Sequence, residues 1–516
     1  MAETGARKWI ITITVVMAAL LELIDTTVVN VSLTNIMGNL GATLEDVAWV
    51  ITAYAVANVI IVPMTGWLSS KFGRKNYFAF SIILFTTASF FCGHATSIWE
   101  LVIFRFIQGI GGGGLLTTSQ AILIETFPKE ELGMANALFG LGVVIGPTIG
   151  PTLGGYITDH FNWPWIFYIN IPLGAIATFL TLTFIHESPN RRKIDDIDWW
   201  GIILLVIGVG SLQVVLERGE SEDWFSTPYI VVLSITAILG MVAFIWRELT
   251  TAHPIVDLRV LKSKSLALGT VFTFILGFGL FASVFIFPIL CQNLLGFTAQ
   301  QTGLILLPGS LATALMMPFV GTMLKKGVPP QWMAAVGFTG FFLFSVLLSH
   351  STLGSGIDDF FWPLIVRGIG LSLLFVPLTT MALSGLQGKD IAAGAGLNNM
   401  MRQLGGSFGV AIMTTFVTQR TAFHRSNLIE HINSFNPISA ERINTYTKGF
   451  MAKGFPLQQA QAMANRALEG TVIKQSMLMS YMDSFLIVGV FFIICIPIVL
   501  IFQRKHEGQM ILDAGH

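Results

Sequence analysis

Two acidic residues, Glu22 and Asp25, stand inside an apolar stretch at 10–34. Their spacing of three places both on one face of a helix. A charge near the centre of a bilayer costs at least about 2.5–3.5 kcal/mol on insertion scales, so intramembrane acids persist where they are used. Two neighbouring carboxylates also resist joint ionisation, and one of them is expected to hold its proton near neutral pH. A proton carrier needs this property. The alternative reading is a buried polar pair that only fixes helix packing.

Three basic residues, Arg105, Arg367 and Arg402, also fall well inside apolar stretches. Each must face a cavity or a partner. An arginine beside Asp25 would favour its ionised form and aid proton release, and Arg105 is the candidate. A permanent structural ion pair is the competing reading. A third constellation is Gly142, Gly146, Pro147, Gly150, Pro151 and Gly154. Glycine at every fourth position forms a smooth stripe that lets another helix approach closely. Each proline removes a backbone bond and bends the helix. A kinked, closely packed helix suits a rocking interface. The run Gly111–Gly114 is followed by no Lys-Ser or Lys-Thr and is not read as a phosphate loop. The nine histidines lie at span ends or in loops without ligand spacing, so no metal site and no cofactor is expected.

These residues need elements to hold them. The chain has 516 residues, 53% of them hydrophobic and 11% charged. So few charges cannot cover a chain of this length in water, and its solvent must be largely lipid. Apolar segments of spanning length occur near 10–34, 47–69, 77–95, 98–120, 133–158, 163–185, 198–216, 227–248, 266–291, 302–324, 331–349, 359–384, 391–419 and 480–503. The first has no small-residue cleavage site and reads as a retained span. The fold class expected is therefore all-α integral membrane with 14 transmembrane helices.

Charge tests the count. With both termini cytoplasmic, that side holds Arg7, Lys8, Lys71, Arg74, Lys75, Lys129, Arg191, Arg192, Lys193, Arg247, Arg259, Lys262, Lys264, Lys325, Lys326, Lys389, Arg504 and Lys505. The short loops opposite hold Arg218. This is a strong positive-inside bias, and dropping one helix destroys it. Lys plus Arg equals Asp plus Glu, at 29 each, which argues against nucleic acid as a partner. The three cysteines lie in or at the ends of apolar stretches and are no disulfide framework.

A faint repeat runs through the chain. Pro63-Met-Thr-Gly66 is echoed by Pro318-Phe-Val-Gly321, and Gln108-Gly-Ile-Gly111 by Arg367-Gly-Ile-Gly370. Two related halves are what alternating-access transporters are built from. The segment 420–478 is expected outside as a long loop. Within it Ile443, Tyr446, Phe450 and Met451, then Leu457, Ala460, Met463 and Ala467, recur at helical spacing. Pro456 separates the two runs, which predicts a short helical hairpin.

The chain resembles the major facilitator superfamily, and within it the fourteen-span drug:proton antiporters. The first-span motif reads Asp25-Thr-Thr-Val-Val-Asn30, and the loop signature reads Gly66-Trp-Leu-Ser-Ser-Lys71-Phe-Gly73-Arg74-Lys75, with Ser70 where Asp is usual. Arg105-Phe-Ile-Gln108-Gly109 is similar to the span-four motif, and the glycine stripe to the antiporter motif of span five. Trp163-Pro-Trp-Ile-Phe-Tyr-Ile-Asn170-Ile-Pro172 and Asn398-Asn-Met-Met-Arg402-Gln-Leu-Gly405-Gly406 are similar to signatures of the fourteen-span group. Asp223-Trp-Phe225, Pro254-Ile-Val-Asp257 and Phe435-Asn-Pro437 look like EmrB-type inner-membrane pumps.

That resemblance implies a major facilitator fold of two pseudo-symmetric six-helix halves, 1–197 and 251–516, the second including the 420–478 loop. Two inserted helices would occupy 198–250. It implies proton-coupled export of small amphipathic compounds from the cytoplasm or inner leaflet. It further implies a Gram-negative inner membrane, an EmrA-type periplasmic adaptor and a TolC-like outer-membrane channel. Glu22, Asp25 and Arg105 are then the coupling residues, and Asn30, Gln108, Asn398 and Arg402 line the substrate cavity. Gly66, Gly73, Arg74 and the glycine–proline stripe serve conformational switching. An exporter of a native metabolite, siderophore or lipid is the alternative, then a proton-coupled importer. An intramembrane enzyme finds no metal cluster or nucleophile–base pair in these residues.

Overall fold

The computed structural model describes residues 5–128, 131–188, 197–386, 390–432 and 436–513. Lys129, Arg191, Arg192, Lys193 and Lys389 of the basic set lie outside the described residues, as do the side chains of Arg504 and Lys505. In lipid every backbone polar group must be satisfied within the chain, and helices do this segment by segment. The described elements are accordingly helical. They are α1 (Gly5–Leu40), α2 (Leu44–Phe72), α3 (Arg74–His94), α4 (Ile98–Thr126), α5 (Leu132–His160), the turn α6 (Trp165–Tyr168), α7 (Asn170–Phe184), α8 (Trp199–Arg218) and α9 (Pro228–Thr250). There follow α10 (Lys264–Ile289), α11 (Ala299–Lys325), α12 (Pro330–Leu348), α13 (Ile357–Leu383), α14 (Asp390–Glu430), α15 (Pro437–Ala452) and α16 (Leu457–Asp513).

Local sequence sets several starts. Thr43 and Ser97 cap α2 and α4 by accepting from Asp46 N and Glu100 N. Thr298 and Gln301 form a reciprocal capping box at the head of α11.

Among the described residues, thirteen helices are long and apolar enough to cross a membrane. The polar α14 is not among them, yet it spans the same depth. Near one end, Ala393 backs onto Gly66 of α2, while Thr415 accepts a 2.9 Å bond from Trp224 Nε1 in the α8–α9 connection. The 22 intervening steps rise roughly 33 Å, about one hydrocarbon thickness. Counted with α14, the spans number fourteen.

The halves echo each other in contact detail. Gly109 of α4 presses on Tyr54 and Ala57 of α2, and Gly111 on Ser81 and Phe85 of α3. In α13, Gly368 presses on Gly309 of α11, and Gly370 on Gly337 and Gly340 of α12. Likewise Gly146, Gly150 and Gly154 of α5 meet α1, as Gly405 and Gly409 of α14 meet Phe274 and Phe278 of α10. The helices α8 and α9 pack together at Gly208 and Gly240. Gln213 of α8 reaches Ser407 of α14 at 2.9 Å, and Gly210 faces Val56 and Ile60 of α2. The inserted pair therefore lies over the seam where α2 meets α14.

The segment 420–478 differs from a loop. The helix α14 runs on to Glu430, α15 follows, and α16 begins at Leu457 and continues without a break into the last span. The break before Leu457 is where Pro456 predicts it, but the second arm is the last transmembrane helix itself, prolonged outward. Apolar residues of the last span simply follow in phase from Ala460 and Ala464, both fully buried. Asp483 of α16 accepts from His424 at 2.8 Å and pairs with Arg420, and Arg425 pairs with Glu469 at 2.8 Å.

Candidate functional site

The helices α1, α2, α3, α4 and α7 bring polar side chains to one level around Asp25. Arg105 Nη1 donates to Asp25 Oδ2, and the pair is 1% and 0% exposed. Gln108 Nε2 and Asn170 Nδ2 donate to Asp25 Oδ1 at 2.9 and 2.8 Å, and both also reach Ser89 Oγ. Arg105 further donates to Gln108 Oε1 at 2.8 Å and to the Val50 carbonyl at 3.3 Å, and its guanidinium lies 4.2 Å from the Tyr54 ring centre. Burying an ion pair is tolerated when further hydrogen bonds serve its members, as the two amides on Asp25 Oδ1 and the bonds from Arg105 Nε and Nη1 do here.

Glu22 has a separate set of partners. Its Oε1 accepts from Asn58 Nδ2 at 2.8 Å and its Oε2 from Leu116 N at 3.1 Å. Asn58 Oδ1 in turn accepts from Gln403 Nε2 of α14 at 2.7 Å. The two neighbouring carboxylates thus have separate sets of hydrogen-bond partners. Asp25 is held inside the first bundle, while Glu22 is hydrogen-bonded, through one amide, to the second.

Among the expected cavity residues, Asn30 is exposed, little more than one turn beyond Asp25. Gln108 is fully buried and belongs to the shell of Asp25 instead, because its amide can serve the carboxylate and the guanidinium at once. Asn398 is fully buried with both amide atoms unbonded. Arg402 is 3% exposed, with its guanidinium 5.2 Å from the Phe375 ring centre and Glu22 within electrostatic range.

The glycine stripe is packed against α1, the helix that carries both acids. A Cβ on Gly146 would stand 2.6 Å from Leu23 Cβ, and one on Gly150 would collide with Thr27 Oγ1. Gly142 is looser, at 3.6 Å from Val16. The contact between bundles uses another face of α5: Gly133 against Gly321 and Leu324, Gly140 against Met317 and Phe375, and Thr152 against Gly303. Gly66 brings α2 within 3.1 Å, at its missing Cβ, of the Ala393 backbone. Gly73 has φ +91°, which favours glycine, and Glu187 fills the space beside it. Arg74 pairs with Glu125, and Ser70 turns its hydroxyl to the Gly66 carbonyl at 2.8 Å, a bond that stays within its own helix.

Glu131 stands out among the residues that the sequence motifs missed. It bridges Lys8 and Lys325, with Lys325 Nζ at 3.0 Å, tying the two bundles at the end that carries the basic loops. Hydrogen bonds from Lys8 and Lys325 hold its carboxyl below the usual range. Asn136 with Thr380, at 3.1 Å, and Asn399 with Gln120, at 2.9 Å, join the bundles on the same side. Asn58 was missed because an isolated amide in an apolar run has no spacing to announce it, and Gln403, though inside the quoted 398–406 signature, has no spacing that says it reaches α2.

The model of the Major Facilitator Superfamily matches residues 15–410. The chain belongs to this superfamily. It is 36% identical over 460 residues to the multidrug export protein EmrB of Escherichia coli K12, covering 88% of each chain. It is 32% identical over 506 residues to the fatty acid resistance protein FarB of Neisseria gonorrhoeae, covering 98% of each. Among solved structures it is similar to the human organic anion transporter MFSD10, with TM-score 0.59 at 13% identity over 95% of this chain and 100% of the other. The proton:xylose symporter XylE gives TM-score 0.57 at 13% identity, over 94% and 95%. These superfamily neighbours share the fold. As a member with many apolar helices the chain is a multi-pass membrane protein.

Proposed function

We propose that this chain is a proton-driven exporter of small amphipathic compounds. The observation that carries the reading is the placement of two buried acids on one helix of a two-bundle transporter fold, one of them linked through Asn58 to Gln403 of the other bundle. Protonation of the acid pair from outside removes charge from α1 and weakens its hold on Arg105 and Asn58, which frees the bundles to rock. Substrate and proton then use the central cavity in turn. A potential of 100 mV supplies about 2.3 kcal/mol for each proton moved inward.

The basic loops support an orientation with both termini cytoplasmic and the prolonged ends of α14 and α16 outside, and the similarity to EmrB supports a Gram-negative inner membrane. The Glu131 bridge and the packing of Gly66 on Ala393 then make this a state closed toward the cytoplasm. Similarity to a multidrug export protein and to a fatty acid resistance protein supports outward transport of amphipaths. The same similarity supports an EmrA-type periplasmic adaptor and a TolC-like outer-membrane channel as partners. The outward extension ends in exposed Ile438, Met451, Phe455 and Leu457, an apolar tip suited to docking an adaptor.

The test is dye accumulation in energised cells carrying the chain, followed by efflux from proteoliposomes with an imposed pH gradient. Lower accumulation and gradient-driven efflux support the reading. Higher accumulation shows import, and efflux indifferent to the gradient removes the proton from the mechanism.

A further inference from the structure

Arg367 occupies in α13 the place that Gln108 occupies in α4, as the shared Gly-Ile-Gly contacts show. In the first bundle the charge at this level is matched: Asp25 of α1 faces Arg105. In the second bundle α10, the counterpart of α1, carries no Asp or Glu from Lys264 to Ile289, and neither α11 nor α12 supplies one. Arg367 is 6% exposed, and its Nη1 is buried without a hydrogen-bond partner. Among the described residues no carboxylate pairs with it, and the Phe344 ring centre lies 5.7 Å from its guanidinium. A buried cation left in this condition is costly unless something from outside the chain completes it.

A cleft leads to it. Leu306, Gly309, Ser310 and Thr313 of α11 line one wall, and Leu364, Arg367, Gly368 and Leu371 of α13 the other. The α11 residues lie on the helix face opposite the exposed Leu304, Leu311 and Leu315, so the cleft sits between α11 and α13 on the side away from that exposed face. Its chemistry is one fixed positive charge, two hydroxyls and leucine walls. Thr313 Oγ1 lies 2.9 and 3.0 Å from the Gly309 and Gly368 carbonyls, while Ser310 has the single 3.1 Å bond to the Leu306 carbonyl, which its hydroxyl gives up to donate into the cleft. This combination fits a carboxylate on an apolar body.

We propose that the Arg367 cleft is a subsite for the carboxylate head of an amphipathic monoacid, with Arg367 donating to it. A planar guanidinium fork matches a carboxylate better than a lysine ammonium does. The subsite selects acids within the broader set of exported amphipaths. This rests on the exporter reading, but binding measured without a gradient separates the two.

The experiment compares decanoate with decyltrimethylammonium, which share a chain and differ in head charge. Binding is measured by calorimetry to the full chain in nanodiscs of dioleoylphosphatidylcholine at pH 8, in gluconate buffer. The wild type is expected to favour decanoate. In Arg367→Gln the decanoate-to-ammonium affinity ratio falls at least ten-fold, and Arg367→Lys recovers part of it. An unchanged ratio in Arg367→Gln overturns the subsite. If chloride in place of gluconate abolishes the Arg367-dependence, the group holds an inorganic anion only and the proposal fails. If the dependence appears only when phosphatidylglycerol is added, the anion is a lipid headgroup and the proposal again fails. If Arg367→Gln does not elute as a monodisperse species, Ser310→Val provides the second reading: a weaker loss confined to decanoate, against no loss if the cleft is empty of substrate. A changed ratio in a protein that exports neither probe keeps the subsite and sinks the exporter reading.

Discussion

Gln403 in the second bundle hydrogen-bonds Asn58 in the first, and Asn58 passes that contact to Glu22. An acid is thereby linked through one side chain to the surface on which the bundles move. Gln403→Leu is expected to lower gradient-driven efflux several-fold while leaving substrate exchange without a gradient within two-fold. Counterflow in proteoliposomes, run beside pH-driven efflux, checks this. Equal losses in both assays would reduce Gln403 to a packing residue.

Asp25→Asn is expected to abolish proton-coupled efflux with substrate binding largely kept, because the amide still meets Gln108 and Asn170 but no longer ionises. Glu22→Gln is expected to be milder, damaging coupling or cation preference. The converse change, Arg105→Ala, leaves Asp25 as an uncompensated buried charge, which costs about 3–5 kcal/mol. That variant should be lost at insertion or unfold at lower denaturant concentration. Wild-type efflux by Asp25→Asn would remove it as the proton carrier.

Gly150→Leu is expected to insert yet fail to transport. Its side chain meets Thr27 on the helix that carries Asp25, and overpacking of this kind costs about 1–3 kcal/mol. Gly142→Ala, facing Val16 at an ordinary distance, should be tolerated. Efflux rates of the pair at matched expression decide: near-normal transport by Gly150→Leu means the α1–α5 joint is not close in the working protein.

Glu131→Gln removes the charge that both lysines hold. The Glu131 carboxyl is depressed, so its bridge is present above the usual carboxylate range and is lost only as pH falls through the lowered value. The clamp should therefore be insensitive to pH between 6 and 8. Spin labels at Lys71 and Lys326 are expected to show a longer distance component in Glu131→Gln than in the wild type at pH 7. Identical distributions would mean the bridge does not set the closed state.

Serine at Met451, Phe455 and Leu457 is expected to spare transport in proteoliposomes and abolish resistance in Gram-negative cells. These side chains stand at the far tip of the extension, beyond the ion pairs of Asp483 and Glu469 that hold its base. Survival of both activities, or loss of both, takes away the docking role.

The sequence made the apolar spans legible because lipid demands long runs, and Glu22, Asp25 and Arg105 because charge in such runs is rare. The α5 stripe was legible as a close contact, but its partner was not: glycine spacing reports that a helix can approach, and α1 and α11 both do, on different faces. The contacts of Ser89, Asn58 and Gln403 were invisible for a related reason. Each is a single polar residue whose meaning comes from helices distant in sequence. The extension misread as a loop because its amides and charges exclude it from lipid without excluding it from a helix.

The polarity of α14 has a consequence for how the protein is made. Asn398, Asn399, Arg402 and Gln403 fall within six consecutive residues, and an arginine at mid-helix alone costs about 2.5–3.5 kcal/mol on leaving the translocon. The helix cannot be released into lipid by its own apolar surface. It must wait beside the insertion machinery until α10 and α16 receive it, and α16 emerges after it. A chain stopped before Leu457 should leave α14 accessible to protease or to glycosylation reporters at both ends, whereas the full chain protects it.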